Sequence, residues 1–237
     1  MQERLQKLIA QAGLASRRKA EIWITEGKVI LNGVPAQLGD RADLAVDQIL
    51  VNGQSLARAE KKITVLLNKP RGYVSTLHDP EGRRRVTDLV AAIPQRLFPI
   101  GRLDYNTEGL LLLTNDGELS QKLSHPRYHV DKTYLVKVRG VLTAQMVSAL
   151  ERGVTLDDGI TAPAKVSQQR SVGSNHWFEL TIHEGKNRQI RRMCETLGLT
   201  VVRLKRIKFG QLCLADLATG QYRVLTEKEI ERLKNII

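Results

Sequence analysis

Apolar residues at Leu5, Leu8, Ile9 and Ala12 keep helical spacing, and Gly13 ends the run. Ser16 then supplies a hydroxyl suited to cap a second helix, so residues 1 to 28 predict two short helices. From Lys28 the period shortens. Lys28-Val29-Ile30-Leu31-Asn32-Gly33-Val34 predicts a strand entering an Asn-Gly hairpin turn, because that dipeptide accepts the positive φ angles such turns require. Asn52-Gly53 repeats the signal. Between Ser55 and Lys62 only Leu56 is a large apolar side chain, which marks this stretch as a linker.

Beyond it the texture changes. Ile63 to Leu67 reads as a strand, Asn68-Lys69-Pro70-Arg71-Gly72 as a turn, and His78 to Arg85 as a polar loop. Leu110 to Leu113 is the most apolar run of the chain and predicts a buried extended segment. Thr133 to Gly140 alternates, with Tyr134, Val136 and Val138 on one face, and Trp177 to Ile182 does the same. Helices are predicted over Gln145 to Arg152, Arg188 to Leu197 with Gly198 as a C-cap, and Glu227 to Ile236 after Thr226. The expectation is an α+β chain. It has a small helix-helix-hairpin domain over 1–60 and a larger domain over 61–237, with an antiparallel-rich sheet and flanking helices.

Charge narrows the partner. The 237 residues carry 37 Lys+Arg against 25 Asp+Glu, a formal net charge of +12 that suits a polyanion. The surplus is clustered: residues 61–100 hold eight Lys/Arg against three Asp/Glu, and residues 181–210 hold eight against two. Clusters of this kind either decorate a solvated face or bind a phosphate backbone. Arg17, Arg18 and Lys19 add a third group at the start of the second helix, where backbone amides also favour phosphate. No stretch approaches the ~18 apolar residues that span a bilayer, and no secretory signal is read at the N-terminus. The two cysteines, Cys194 and Cys213, fit a reducing compartment, so a cytoplasmic location is expected, and a monomer is the default expectation.

Candidate chemistry centres on Gly101-Arg102-Leu103-Asp104-Tyr105-Asn106-Thr107-Glu108-Gly109, a polar loop leading into the Leu110 to Leu113 run. A buried strand beside a polar loop is a rigid support for Asp104 and Arg102, although a loop aspartate also serves as a turn former or cap. The segment Gly101 to Asp104, with Thr107 to Gly117, resembles the signature loop of the RsuA/RluB family of pseudouridine synthases. Asn68-Lys69-Pro70-Arg71-Gly72 resembles that family's first motif, Lys132-Thr133-Tyr134 its tyrosine-bearing strand, and Gly185 to Met193 its last motif. Arg4 through Val34 resembles the S4 RNA-binding module that precedes the catalytic domain in that family, so the likeness covers essentially the whole chain.

The resemblance implies a reaction without cofactor. The glycosidic bond of a uridine in RNA is cleaved, the base rotates, and it is rejoined through C5. Asp104 is then the nucleophile or base, and three routes stay open: addition to the ribose, addition to the base, or abstraction of a ribose proton. Arg191 is the matched guanidinium that favours the aspartate anion, and Tyr134 the matched aromatic against the flipped uracil. Tyr134 also reads as a core residue of its strand. Arg102 matches the RNA-contacting position beside Asp104, while Ile190 and Leu204 fit either an apolar pocket or the ordinary core. With Arg17, Arg18, Lys19, Lys69, Arg71, Lys186, Arg188 and Arg192, Arg102 makes up the expected RNA-binding set. Ribosomal RNA is the implied substrate, with the 23S rRNA of the large subunit favoured by the RluB-like segment Asn175 to Gly185 and the Arg-rich last motif. The alternatives are 16S rRNA and a non-catalytic RNA-binding or ribosome-assembly protein.

Other chemistries lack their residues. His183-Glu184 has no second histidine at zinc-protease spacing, and Pro126 separates His125 from His129, so no metal site is expected. Phosphate-cradling Gly-Lys-Ser/Thr, dinucleotide Gly-x-Gly-x-x-Gly and hydrolase Gly-x-Ser-x-Gly patterns do not occur.

Overall fold

A computed structural model of the chain describes residues 2–56 and 60–236. The segment expected to be a linker, Ser55 to Lys62, therefore lies partly outside the described residues. The fold divides into two compact units, one made chiefly of residues up to 63 and the other of nearly all the rest.

The first unit opens with α1 (Leu5–Gln11) and α2 (Arg17–Thr25). The Ser16 hydroxyl accepts the Lys19 amide at 3.2 Å, the N-cap bond its residue type predicts. Strands β1 (Val29–Leu31), β2 (Val34–Pro35), β3 (Ile49–Val51) and β4 (Gln54–Ser55) follow, in an antiparallel sheet ordered β2-β1-β3-β4. Both Asn-Gly pairs turn hairpins with positive φ, 50° and 84° at Asn32-Gly33 and 50° and 79° at Asn52-Gly53. Leu5, Ile9, Ile24, Val29 and Ile49 form its core.

The second unit is built on a mixed sheet. Its strands are β5 (Thr64–Lys69), β6 (Glu108–Thr114), β7 (Lys132–Arg139), β8 (Thr155–Leu156), β9 (Gly159–Ile160), β10 (Lys165–Val172), β11 (Asn175–Ile182), β12 (Thr200–Phe209) and β13 (Tyr222–Val224). The main path of the sheet runs β10-β11-β7-β12-β6-β5-β13; two further short strands, Phe98–Pro99 against β6 and Leu212–Cys213 against β12, lie off that path, and β8 and β9 stand apart as a hairpin. Every neighbouring pair is antiparallel except β12 with β6, which is parallel. Helices α3 (Gly117–Ser124), α4 (Ala144–Arg152), α5 (Gln189–Thr196) and α6 (Glu227–Lys234) complete it.

Burial follows position in the sheet. The inner strands β5 and β6 are buried at every residue, which is why Ile63 to Leu67 and Leu110 to Leu113 read as continuous apolar runs. On β7 the alternation holds: Tyr134, Val136 and Val138 face inward, opposite Leu180, Phe178 and His176 of β11. Helix α5 ends in the bonds of a glycine-terminated cap, Leu199 N–H to Cys194 O at 2.8 Å and Gly198 N–H to Glu195 O at 2.9 Å.

Three elements go beyond the sequence pattern. β10 is an edge strand with most residues exposed, so burial selects no alternation there. β12 points a charged residue, Arg206, to the same buried side as Leu204, which masks its period. Helix α3 buries only Leu119 and Leu123.

Candidate active site

The loop from Gly101 to Thr107 sits at the head of β6, and each of its residues from Leu103 onward has a backbone group held by a hydrogen bond. Lys69, the last residue of β5, has no exposed surface; its ammonium donates to the carbonyls of Pro70 (3.0 Å), Asp104 (3.1 Å) and Thr107 (2.9 Å). Burial pushes this lysine down to about 8, and the negative charges of Asp104 and Glu108 oppose that fall. Ser75 clips the loop from the other side. Its hydroxyl donates to Leu103 O at 2.8 Å and accepts Leu103 N–H at 3.1 Å. Gly72 N–H reaches Tyr105 O at 2.9 Å, Thr107 N–H reaches Asp104 O at 3.0 Å, and Arg191 donates to Asn106 O at 3.2 Å. The carboxylate of Asp104 is thus carried on a backbone fixed at five successive residues, Leu103 to Thr107.

Gly109 explains how the loop comes so near β12. It has φ +103°, and a Cβ there would lie 2.2 Å from the Arg206 carbonyl oxygen. Only glycine allows β6 and β12 this parallel approach.

Asp104 and Tyr134 face the same cleft, of about 450 Å³, with Arg102, Lys132, Arg188 and Arg206 also on its walls. An adjoining recess of about 90 Å³ is lined by Leu103, Thr107, Tyr134, Ile182, Ile190 and Leu204, so both apolar candidates lie beside the aspartate. Tyr134 is 8% exposed: its ring is part of the wall, and the pocket and core descriptions of this residue coincide. Among the described residues Asp104 makes no ion pair within 4.0 Å. Arg191 instead binds the loop at Asn106, two residues on. Burial first, then the cations Arg188 and Arg71, lower the Arg191 pKa, and the negative charge of Asp104 opposes that fall.

The RNA-binding set divides. Arg17, Arg18, Lys19, Arg71, Arg102 and Arg188 are exposed. Lys69 is a correction, because a fully buried ammonium bonded to loop carbonyls offers nothing to a phosphate. Lys186 and Arg192 are also directed inward, to the β8–β9 hairpin. Lys186 donates to Asp158 O and Gly159 O, each at 3.1 Å, and Arg192 grips the Asp158 carboxylate at 2.9 and 3.0 Å. Ser75, Lys132 and Arg206 were not singled out from sequence. The available signal was Arg206 itself, a cation at an inward strand position.

This loop-and-strand architecture defines the class. The RNA pseudouridylate synthase family model matches residues 63–196 and the S4 domain model matches residues 3–45, and the chain belongs to the pseudouridine synthase family. It is 51% identical to Ribosomal large subunit pseudouridine synthase B of Bacillus subtilis, over 98% of this chain and 96% of that protein. It is 44% identical to the protein of the same name from Pseudomonas aeruginosa, of whose length it spans 61%. A solved structure described as a pseudouridylate synthase superposes with a TM-score of 0.68 at 33% identity, covering 97% of this chain and 99% of that one.

Proposed function

We propose that this pseudouridine synthase isomerises a uridine of large-subunit ribosomal RNA, with Asp104 as the reacting carboxylate. The observation that carries the reading is the placement of Asp104 and Tyr134 on one cleft, on a loop whose backbone is held by Lys69, Ser75 and Arg191. The names of the Bacillus and Pseudomonas relatives support the choice of large-subunit RNA.

The reaction is an isomerisation, so it needs no co-reactant. The C1′–N1 bond breaks, the uracil turns, a C1′–C5 bond forms, C5 gives up its proton and N1 gains one. Asp104 acts first, as an anion, at the ribose or at the base. Tyr134 offers its ring to the flipped uracil, whose π face needs no sequence-specific edge contact. The recess of Ile190 and Leu204 keeps the reacting groups apolar on one side. Arg191 holds Asn106 and lends positive potential to Asp104, and exposed Arg102 braces the RNA beside it. The S4 domain, with Arg17, Arg18 and Lys19, adds a second RNA contact and so raises the effective concentration of the catalytic domain. We place the domain boundary near residue 60 and read the working enzyme as a cytoplasmic monomer.

The test is single-turnover conversion of in-vitro transcribed large-subunit rRNA. Asp104→Asn should lower the rate by at least ~10³-fold while RNA binding stays within about twofold. Conversion that survives this change would contradict the assignment of Asp104. Modification only of small-subunit rRNA would contradict the substrate.

A further inference from the structure

The cleft extends past Asp104 and Tyr134 to a lobe that the reaction as described does not use, and two cations stand there without a counter-ion. Lys132 on β7 and Arg206 on β12 flank the Phe209 ring, with Lys132 Nζ 6.0 Å and the Arg206 guanidinium 5.2 Å from its centroid. Arg206 is 2% exposed; its Nε donates to Leu110 O at 2.7 Å, and one terminal nitrogen, Nη2, has no hydrogen-bond partner. Lys132 donates to His183 O at 3.0 Å, which leaves two of its three N–H groups for other partners. Neither cation forms an ion pair within 4.0 Å among the described residues.

The surrounding charges do not neutralise the pair. Asp131 and Glu184 attract Lys132 from a distance, but the Glu184 carboxylate accepts the Ala162 amide and the Gln189 side chain. His183 and His129, with rings 4.8 Å apart, bring no negative charge. Burial and then the repulsion of Arg206 push Lys132 down to about 8. Two desolvated like charges held together are unfavourable unless an anion joins them.

We propose that Lys132, backed by the buried guanidinium of Arg206, binds a backbone phosphate of the target nucleotide. The inference rests on the functional reading above and names what that site holds beyond the base. Strand geometry fits one nucleotide. Lys132 and Tyr134 are two residues apart on the same face of β7, about 7 Å along the strand, comparable to the separation of a pyrimidine from its own nucleotide's phosphate. With the uracil against Tyr134, that phosphate lies against Lys132. Lys132 makes the contact, and Arg206, closed off from solvent behind it, supplies field. Phosphate contacts carry no sequence information, so this subsite fixes the register of the target nucleotide, whichever uridine is chosen.

The test combines a variant with a modified substrate: a synthetic oligoribonucleotide spanning the modified uridine, with the phosphates flanking that uridine replaced one at a time by neutral methylphosphonates. Lys132→Gln should weaken binding about 10-fold to 100-fold and reduce the slope of log K against log salt by about 0.7, with Lys132→Arg restoring most of both. One neutral linkage should weaken wild type equally and add nothing to Lys132→Gln. The variant should melt no earlier than wild type at pH 7, because the depressed lysine opposes folding below about pH 8. An unchanged salt slope, or losses from variant and neutral linkage that multiply, would overturn the proposal with the wild type still active. A wild type that makes no pseudouridine would contradict the functional reading instead.

Discussion

At the residue scale, the lysine that holds the Asp104 loop does the opposite of what its charge suggests. Lys69 reads as a surface cation because lysine is rarely buried, and nothing local in Asn68-Lys69-Pro70 says otherwise. Its role depends on residues more than thirty positions away, the carbonyls of Asp104 and Thr107. Replacing it with methionine keeps the volume but removes its bonds to both carbonyls, leaving Asp104 O only the Thr107 amide. Lys69→Met is predicted to lower kcat about 100-fold through a displaced Asp104 while changing RNA affinity less than twofold, measured by single-turnover kinetics beside filter binding. The pH response follows from the folded pKa of about 8 against 10.5. The unfolded chain binds more protons between those values, so Lys69 destabilises the fold below about pH 8 and that penalty is relieved as pH rises toward 10.5. Activity should run the other way, falling above about pH 8 as the ammonium loses a proton and its hold on the loop weakens. A pH profile of the chemical step that stays flat through pH 9, with wild-type RNA saturating, would contradict this role. That Asp104 and Tyr134 meet at one cleft, by contrast, was legible because the motifs that carry them are long and local. Arg191, expected at the Asp104 carboxylate, binds the loop at Asn106 and interacts with the carboxylate through space.

At the element scale, the approach of β6 to β12 sets the site. Gly109→Ala would place a Cβ 2.2 Å from the Arg206 carbonyl oxygen on a residue with φ +103°, so the strands must separate or the loop must shift. The expected destabilisation is about 2–4 kcal/mol, read from urea unfolding, with a loss of activity larger than the stability change explains at 25 °C. Stability within experimental error of wild type would show that the strands can relax. Elements whose burial is one-sided or complete were readable: β7 and β11 by alternation, β5 and β6 as apolar runs, α1, α2 and α6 by spacing and caps. The edge strand β10 was not, since its exposed residues carry no pattern. Nor was β12, where inward Arg206 replaces the apolar residue that would have kept the period. The parallel pairing of β6 with β12 is a contact between residues about a hundred positions apart, and no local signal encodes it.

At the scale of the whole molecule, the net charge of +12 pointed to a polyanion but did not say which cations meet it. Lys69, Lys186 and Arg192 hold the protein together, while Arg17, Arg18, Lys19, Arg71, Arg102 and Arg188 remain exposed in the two units. The most direct test of the central claim is carbodiimide-based mapping of pseudouridines in total RNA from cells with and without this gene, each complemented by wild type or by Asp104→Asn. The prediction is one site missing from large-subunit rRNA in the deletion, restored by wild type and not by the variant. An unchanged map, or a site restored equally by both proteins, would contradict it.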